Sequence, residues 1–164
     1  MSNMQRIMKT MAVAIALFAV GFAAPAFAQD AHVGTWKGDF AKSTFTPART
    51  GPAPISVTRT YEMFGDGLKA TLTTVSADGK SSTSNWSAHF DGKDYPFVGT
   101  PAVDTIALKR IDASTFTSEL KKADKVVQRV RNSVSPDGKT MTATQKGTNA
   151  QGQPYTDALV FEKQ

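Results

Sequence analysis

An arginine and a tyrosine two residues apart on one face of a strand can together hold a carboxylate. The guanidinium gives a two-pronged contact and the phenol a third donor. Arg59 and Tyr61 stand in that relation, in a stretch where Ile55, Val57, Arg59, Tyr61 and Met63 alternate with Ser56, Thr58, Thr60 and Glu62. The charge thus falls on the face that should be the core, where an unpaired arginine is costly. A competing reading seats Arg59 near a barrel mouth, its head reaching water along an apolar stem. Arg110 is likewise in phase with Ile106 and Leu108. Arg129 and Arg131 oppose Val126 and Val130, which share a face with Val134, so both arginines are expected outside.

Other chemistry has less to stand on. The two histidines are His32, expected on a disordered N-terminal end, and His89, expected on the solvent side of the strand that carries Trp86 and Phe90. Two histidines without carboxylates at ligand spacing make a poor metal site. The sequence has no cysteine, no Gly-x-Ser-x-Gly elbow, no Ser-x-x-Lys on a helix and no His-Glu-x-x-His. Most acids (Asp66, Asp78, Asp91, Asp112, Asp137) fall at turns, where a short carboxylate serves the local backbone. No catalytic residue, metal or cofactor is expected. Paired carboxylates brought together only in space stay open as a route to hydrolysis.

The elements that must position these residues are strands. Asp-Gly-Lys occurs at residues 78–80, 91–93 and 137–139, each copy between stretches of alternating apolar and polar residues. Asp-Gly is favoured in tight hairpin turns whose two central residues both take positive φ. The first strand is expected over 33–40, and residues 47–54 (PARTGPAP) read as an irregular loop because prolines lack the donor that a sheet interior needs. Alternation then resumes strand after strand, with the charged stretch 119–125 reading as a strand end and turn. The inward set is expected to be Val57, Tyr61, Leu72, Trp86, Phe90, Ile106, Leu108, Phe116 and Val130. About ten short strands with short connections predict an all-β, up-and-down antiparallel meander. Closure removes the exposed edges of such a meander, so a barrel is expected.

Residues 1–28 are expected to be a cleaved signal peptide. Arg6 and Lys9 precede an apolar run over 11–23, and Ala26-Phe27-Ala28 has the form of a cleavage site. The run is short of the roughly 20 residues that span a bilayer, so stable membrane insertion is not expected. Residues 29–164 then form a single domain, placed in the periplasm or secreted. The precursor's net charge of +5 falls to +3 without Arg6 and Lys9, with both signs interspersed. That is a soluble surface rather than a nucleic-acid footprint.

Gly34-Thr35-Trp36-Lys37 resembles the Gly-x-Trp signature with which lipocalins and intracellular fatty-acid-binding proteins open their barrels. Val160-Phe161-Glu162-Lys163 is similar to the end of the last strand in the second group. The whole mature chain also resembles uncharacterised exported bacterial lipocalin-like proteins, through Gly-Thr-Trp, Phe45-Thr46-Pro47 and the Asp-Gly-Lys turns. The resemblance implies that Gly34 and Trp36 form the closed barrel end, with a late-strand arginine, here Arg110 or Arg131, covering the indole. It departs at the carboxylate-gripping Arg-x-Tyr of the last strand, since Leu159 and Phe161 occupy those positions. It departs also at the helical lid, which the loop at 47–54 cannot supply.

The reading that follows is a small exported barrel that binds an apolar or amphipathic molecule. Arg59, Tyr61, Trp86, Phe90, Leu108 and Arg110 are the ligand-binding candidates. The alternative is a solid-core barrel acting through its surface in the cell envelope, with an enzyme third. Oligomeric state and ligand identity are not legible.

Overall fold

The strands lie where alternation and turn residues put them, and they close on themselves. A computed structural model describes residues 30–48, 52–149 and 152–164; the expected signal peptide at 1–28 lies outside these. Ten strands follow in chain order: β1 (Gly34–Thr46), β2 (Ser56–Phe64), β3 (Gly67–Val75), β4 (Ser81–Ala88), β5 (Tyr95–Val98), β6 (Thr105–Asp112), β7 (Thr115–Lys122), β8 (Lys125–Val134), β9 (Thr140–Thr148) and β10 (Pro154–Lys163). No helix occurs among the described residues. Each strand pairs antiparallel with its sequence neighbour, and β1 pairs with both β2 and β10 to complete a closed barrel. The expected all-β meander and its closure are both present.

Period-two alternation fills the interior. Trp36, Tyr61, Leu68, Trp86, Ile106, Leu108, Phe116, Val130, Met141, Leu159 and Phe161 are buried in one cluster, with Val57, Leu72 and Phe90 packed against it. The inward residues expected from sequence are therefore all inside.

Several local expectations are corrected. The first strand does not stop at residue 40. It runs on to Thr46 through an irregularity between Asp39 and Thr44. There the Asp39 carboxylate accepts from the amides of Ala41 and Lys42, and Ser43 Oγ accepts from Val160 N across the seam. Val126 does not share the face of Val130 and Val134. The pairing shifts between Leu120↔Gln128 and Lys121↔Val126, so an extra residue in β8 turns Val126 outward.

The Asp-Gly-Lys segments are not turns with two positive φ angles. Only their glycines are left-handed, at 81° for Gly79, 76° for Gly92 and 70° for Gly138. Gly79 N bonds to Ser76 O at 2.9 Å, and the Asp78 carboxylate accepts from Lys80 N at 3.2 Å. This is a longer loop in which the glycine closes the turn and the aspartate braces it. Consecutive positive φ angles occur instead at Ala123 (47°) and Asp124 (62°), the two-residue β7–β8 turn.

Candidate functional site

Two polar clusters occupy the barrel axis, one around an interior cavity and one sealing the closed end. The cavity measures about 270 Å³ and is walled by Tyr61, Trp86, Phe97, Ile106, Phe116 and Leu120, among others. Thr100, Ala102 and Val103 reach it from the β5–β6 connection.

Arg59 lines this cavity from β2. It is only 7% exposed, so it does not reach for water at a mouth; the guanidinium lies inside. Its Nη1 donates to Asn132 Oδ1 on β8 at 3.3 Å, and its Cζ lies 4.4 Å from the centroid of the Phe161 ring. Its Nε is buried without a hydrogen-bond partner. No carboxylate among the described residues forms a salt bridge with it. A buried guanidinium on a cavity wall can receive an anionic or strongly accepting group. Gln128 donates to Gln145 at 2.7 Å on the same wall, and Ser84 and Ser118 add hydroxyls. Asn132, Gln128 and Gln145 were missed in the sequence. Asn132 and Gln128 share the phase of Val130 and Val134, which is the signal that singled out Arg59.

The closed end is held by residues 30–36. His32 is fully buried, a correction to the expected disordered end. The reason is a chain of bonds. Asp30 Oδ1 accepts from the His32 amide and pairs with its Nδ1, each at 2.9 Å, while Asp30 Oδ2 receives Arg110 Nη2. The His32 carbonyl then accepts the Trp36 indole N–H at 2.7 Å. Burial by itself would raise the Asp30 pKa. The bonds from the His32 ring and amide and from Arg110, with the guanidinium's charge, outweigh it and hold the carboxyl at about 2. Trp36 is covered by neither Arg110 nor Arg131. Lys163, its register partner on β10, places Nζ 5.1 Å from the indole centroid.

The six candidate residues thus divide. Arg59, Tyr61 and Trp86 come together on the cavity wall. Arg110 stacks on Phe90 at 3.7 Å and belongs to the closed end; Leu108 is buried in the core. His89 pairs with Asp66 on the outside, between Phe64 and Tyr95. Among the described residues no group of three or more histidines, cysteines or acids could hold a metal.

Fold and site together define a closed ten-stranded antiparallel barrel with an arginine inside a small cavity. No protein-family model matches the chain, and no curated protein matches its sequence. Among solved structures, a zebrafish ileal bile acid-binding protein complexed with cholic acid is similar. It aligns over 82% of this chain and 99% of that chain, with 11% identity and a TM-score of 0.46.

Proposed function

We propose that this barrel is a lipocalin-like binding protein for a small acidic amphiphile, exported after removal of residues 1–28. The observation that carries the reading is Arg59: a buried guanidinium, bonded to Asn132 and spare at Nε, on the wall of an otherwise largely apolar cavity. Such a combination fixes a ligand by one polar end and encloses the rest in apolar surface. The cavity favours this over a solid-core barrel. Export rests on the leader pattern of charge, apolar run and small-residue cleavage site, and it places binding in the periplasm or outside the cell.

Volume limits the ligand. A cavity near 150 Å³ accepts benzene, so about 270 Å³ holds roughly a dozen non-hydrogen atoms. Octanoate fits that limit, palmitate exceeds it, and octanol has the same chain without the charge.

Calorimetry with these three probes tests the reading, alongside native mass spectrometry of the full chain purified after export. Octanoate is expected to bind tighter than octanol, and palmitate to bind least. Arg59→Met should abolish the octanoate preference while leaving octanol binding in place. Equal binding of octanoate and octanol would overturn the role of Arg59. A bare mass together with no binding of any probe would overturn the binding function.

A further inference from the structure

The outer face of β6–β9 carries a cationic hollow that the interior cavity does not explain. Its floor is made of small outward residues, Ala107, Thr117 and Thr144; its walls are Lys109, Arg129, Arg131 and Lys146. Together with Gly92 they help enclose about 500 Å³. Strand register builds it. One row across the sheet runs Lys109, Thr117, Arg131, Thr144, and the next runs Ala107, Glu119, Arg129, Lys146. Short side chains at the centre and long ones around them turn a sheet face into a basin.

Two observations set this apart from an ordinary solvated face. Arg129 and Lys146 stand directly opposite each other, a like-charge pairing that destabilises a sheet. The lone carboxylate in the hollow, Glu119, is taken by Arg129 Nε at 2.9 Å, while Lys109, Arg131 and Lys146 form no salt bridge among the described residues. Asp112 feels the charge of Arg131 but does not line the hollow. The second observation is where the charge sits. Residues 29–164 carry +3, the stated +5 less Arg6 and Lys9, and the hollow's four bases against one acid give the same +3. The remaining charges of that stretch cancel, so the excess is gathered in one place.

We propose that this hollow binds a small polyvalent oxyanion, a phosphate ester or a polycarboxylate, independently of the interior cavity. Clustered anionic oxygens would meet the fork of Arg131 and the ammonium groups of Lys109 and Lys146, with the Thr117 and Thr144 hydroxyls as floor donors. Concavity selects a discrete anion over the flat surface of a bilayer.

Inorganic pyrophosphate and citrate, titrated into the full chain and followed by backbone-amide NMR at about 0.1 M salt, separate the two sources. Saturable shifts confined to β6–β9 are expected with at least one of them. Pyrophosphate alone assigns a phosphate ester, and citrate alone a polycarboxylate. The double change Arg131→Ala with Lys146→Ala should weaken binding by roughly tenfold or more, with a melting temperature no lower than the parent's, since both side chains are on the outer face and Lys146 opposes Arg129. Glu119→Gln should strengthen it, and Lys69→Ala on β3 should leave it as it was. Non-saturating shifts with both anions would overturn the proposal, as would parental affinity in the double variant. So would sedimentation with phosphatidylglycerol vesicles when neither small anion binds.

Discussion

Arg59 and Asp30 show how differently two buried charges can be handled in one barrel. Arg59 keeps a donor unmatched beside a cavity. Asp30 is matched from the His32 ring, the His32 amide and Arg110. The consequence for Asp30 is a pH dependence of defined sign. Its folded pKa of about 2 lies below the ordinary 3.8, so the ionised carboxylate favours the folded state. That contribution is full above about pH 4 and disappears as pH falls through 2, amounting to about 2 kcal/mol. Denaturant titrations from pH 6 to pH 2 should show the parent losing this increment and Asp30→Asn already lacking it at pH 6. Parallel curves for the two proteins would refute the assignment. Arg59 was legible in the sequence because its phase was apolar. Asp30 and His32 were not, since the bonds that order them run to Arg110, 80 residues away, and to Trp36.

At the scale of elements, turn chemistry decided more than strand propensity. The β7–β8 turn places Ala123 and Asp124 both at positive φ, a conformation in which a Cβ is strained. Replacing Ala123-Asp124 by Asn-Gly should stabilise the protein by about 1 kcal/mol, seen as a shift of the urea midpoint without a change of slope. Gly99 makes the opposite case. Its φ is 96°, and a Cβ there would come within 2.1 Å of the Thr83 carbonyl oxygen. Gly99→Ala should therefore lower stability by about 2 kcal/mol or more, measured in the same titration. Asp-Gly-Lys marked turns correctly at 78–80 and 137–139, but at 91–93 Asp91 bridges to Lys109 and Gly92 N bonds to Leu108 O of β6, because loop length and hydrogen bonding are not specified by dipeptide identity.

For the molecule as a whole, β5 is the weak seam of the closed barrel. It is joined to β4 through two residue pairs and to β6 through two more, and Pro96 has no amide to donate. Phe97 and the connection after it also wall the cavity, through Thr100, Ala102 and Val103. Amide hydrogen exchange should be fastest, among strand segments, in β5 and residues 99–104, and should slow there when octanoate is bound. Uniform protection around the barrel would exclude this segment as the ligand's way in.

Except for the length of β1 and the face of Val126, sequence alone determined the strands, the inward residues, the meander order and the closure. Each follows from local alternation, from turn residues, and from the cost of leaving two sheet edges open. It also brought out Arg59 and Tyr61, because a polar residue in an apolar phase is visible without any partner. Tertiary structure decided which of the six candidates share a space. Arg59, Tyr61 and Trp86 meet at the cavity, while Arg110 and Phe90 seal the far end. It also decided that Lys163 covers Trp36 and that four basic side chains gather on one outer face. Those outcomes depend on the register between strands distant in sequence, and register is fixed only when bulges such as that of β8 and the closing β1–β10 pair are in place.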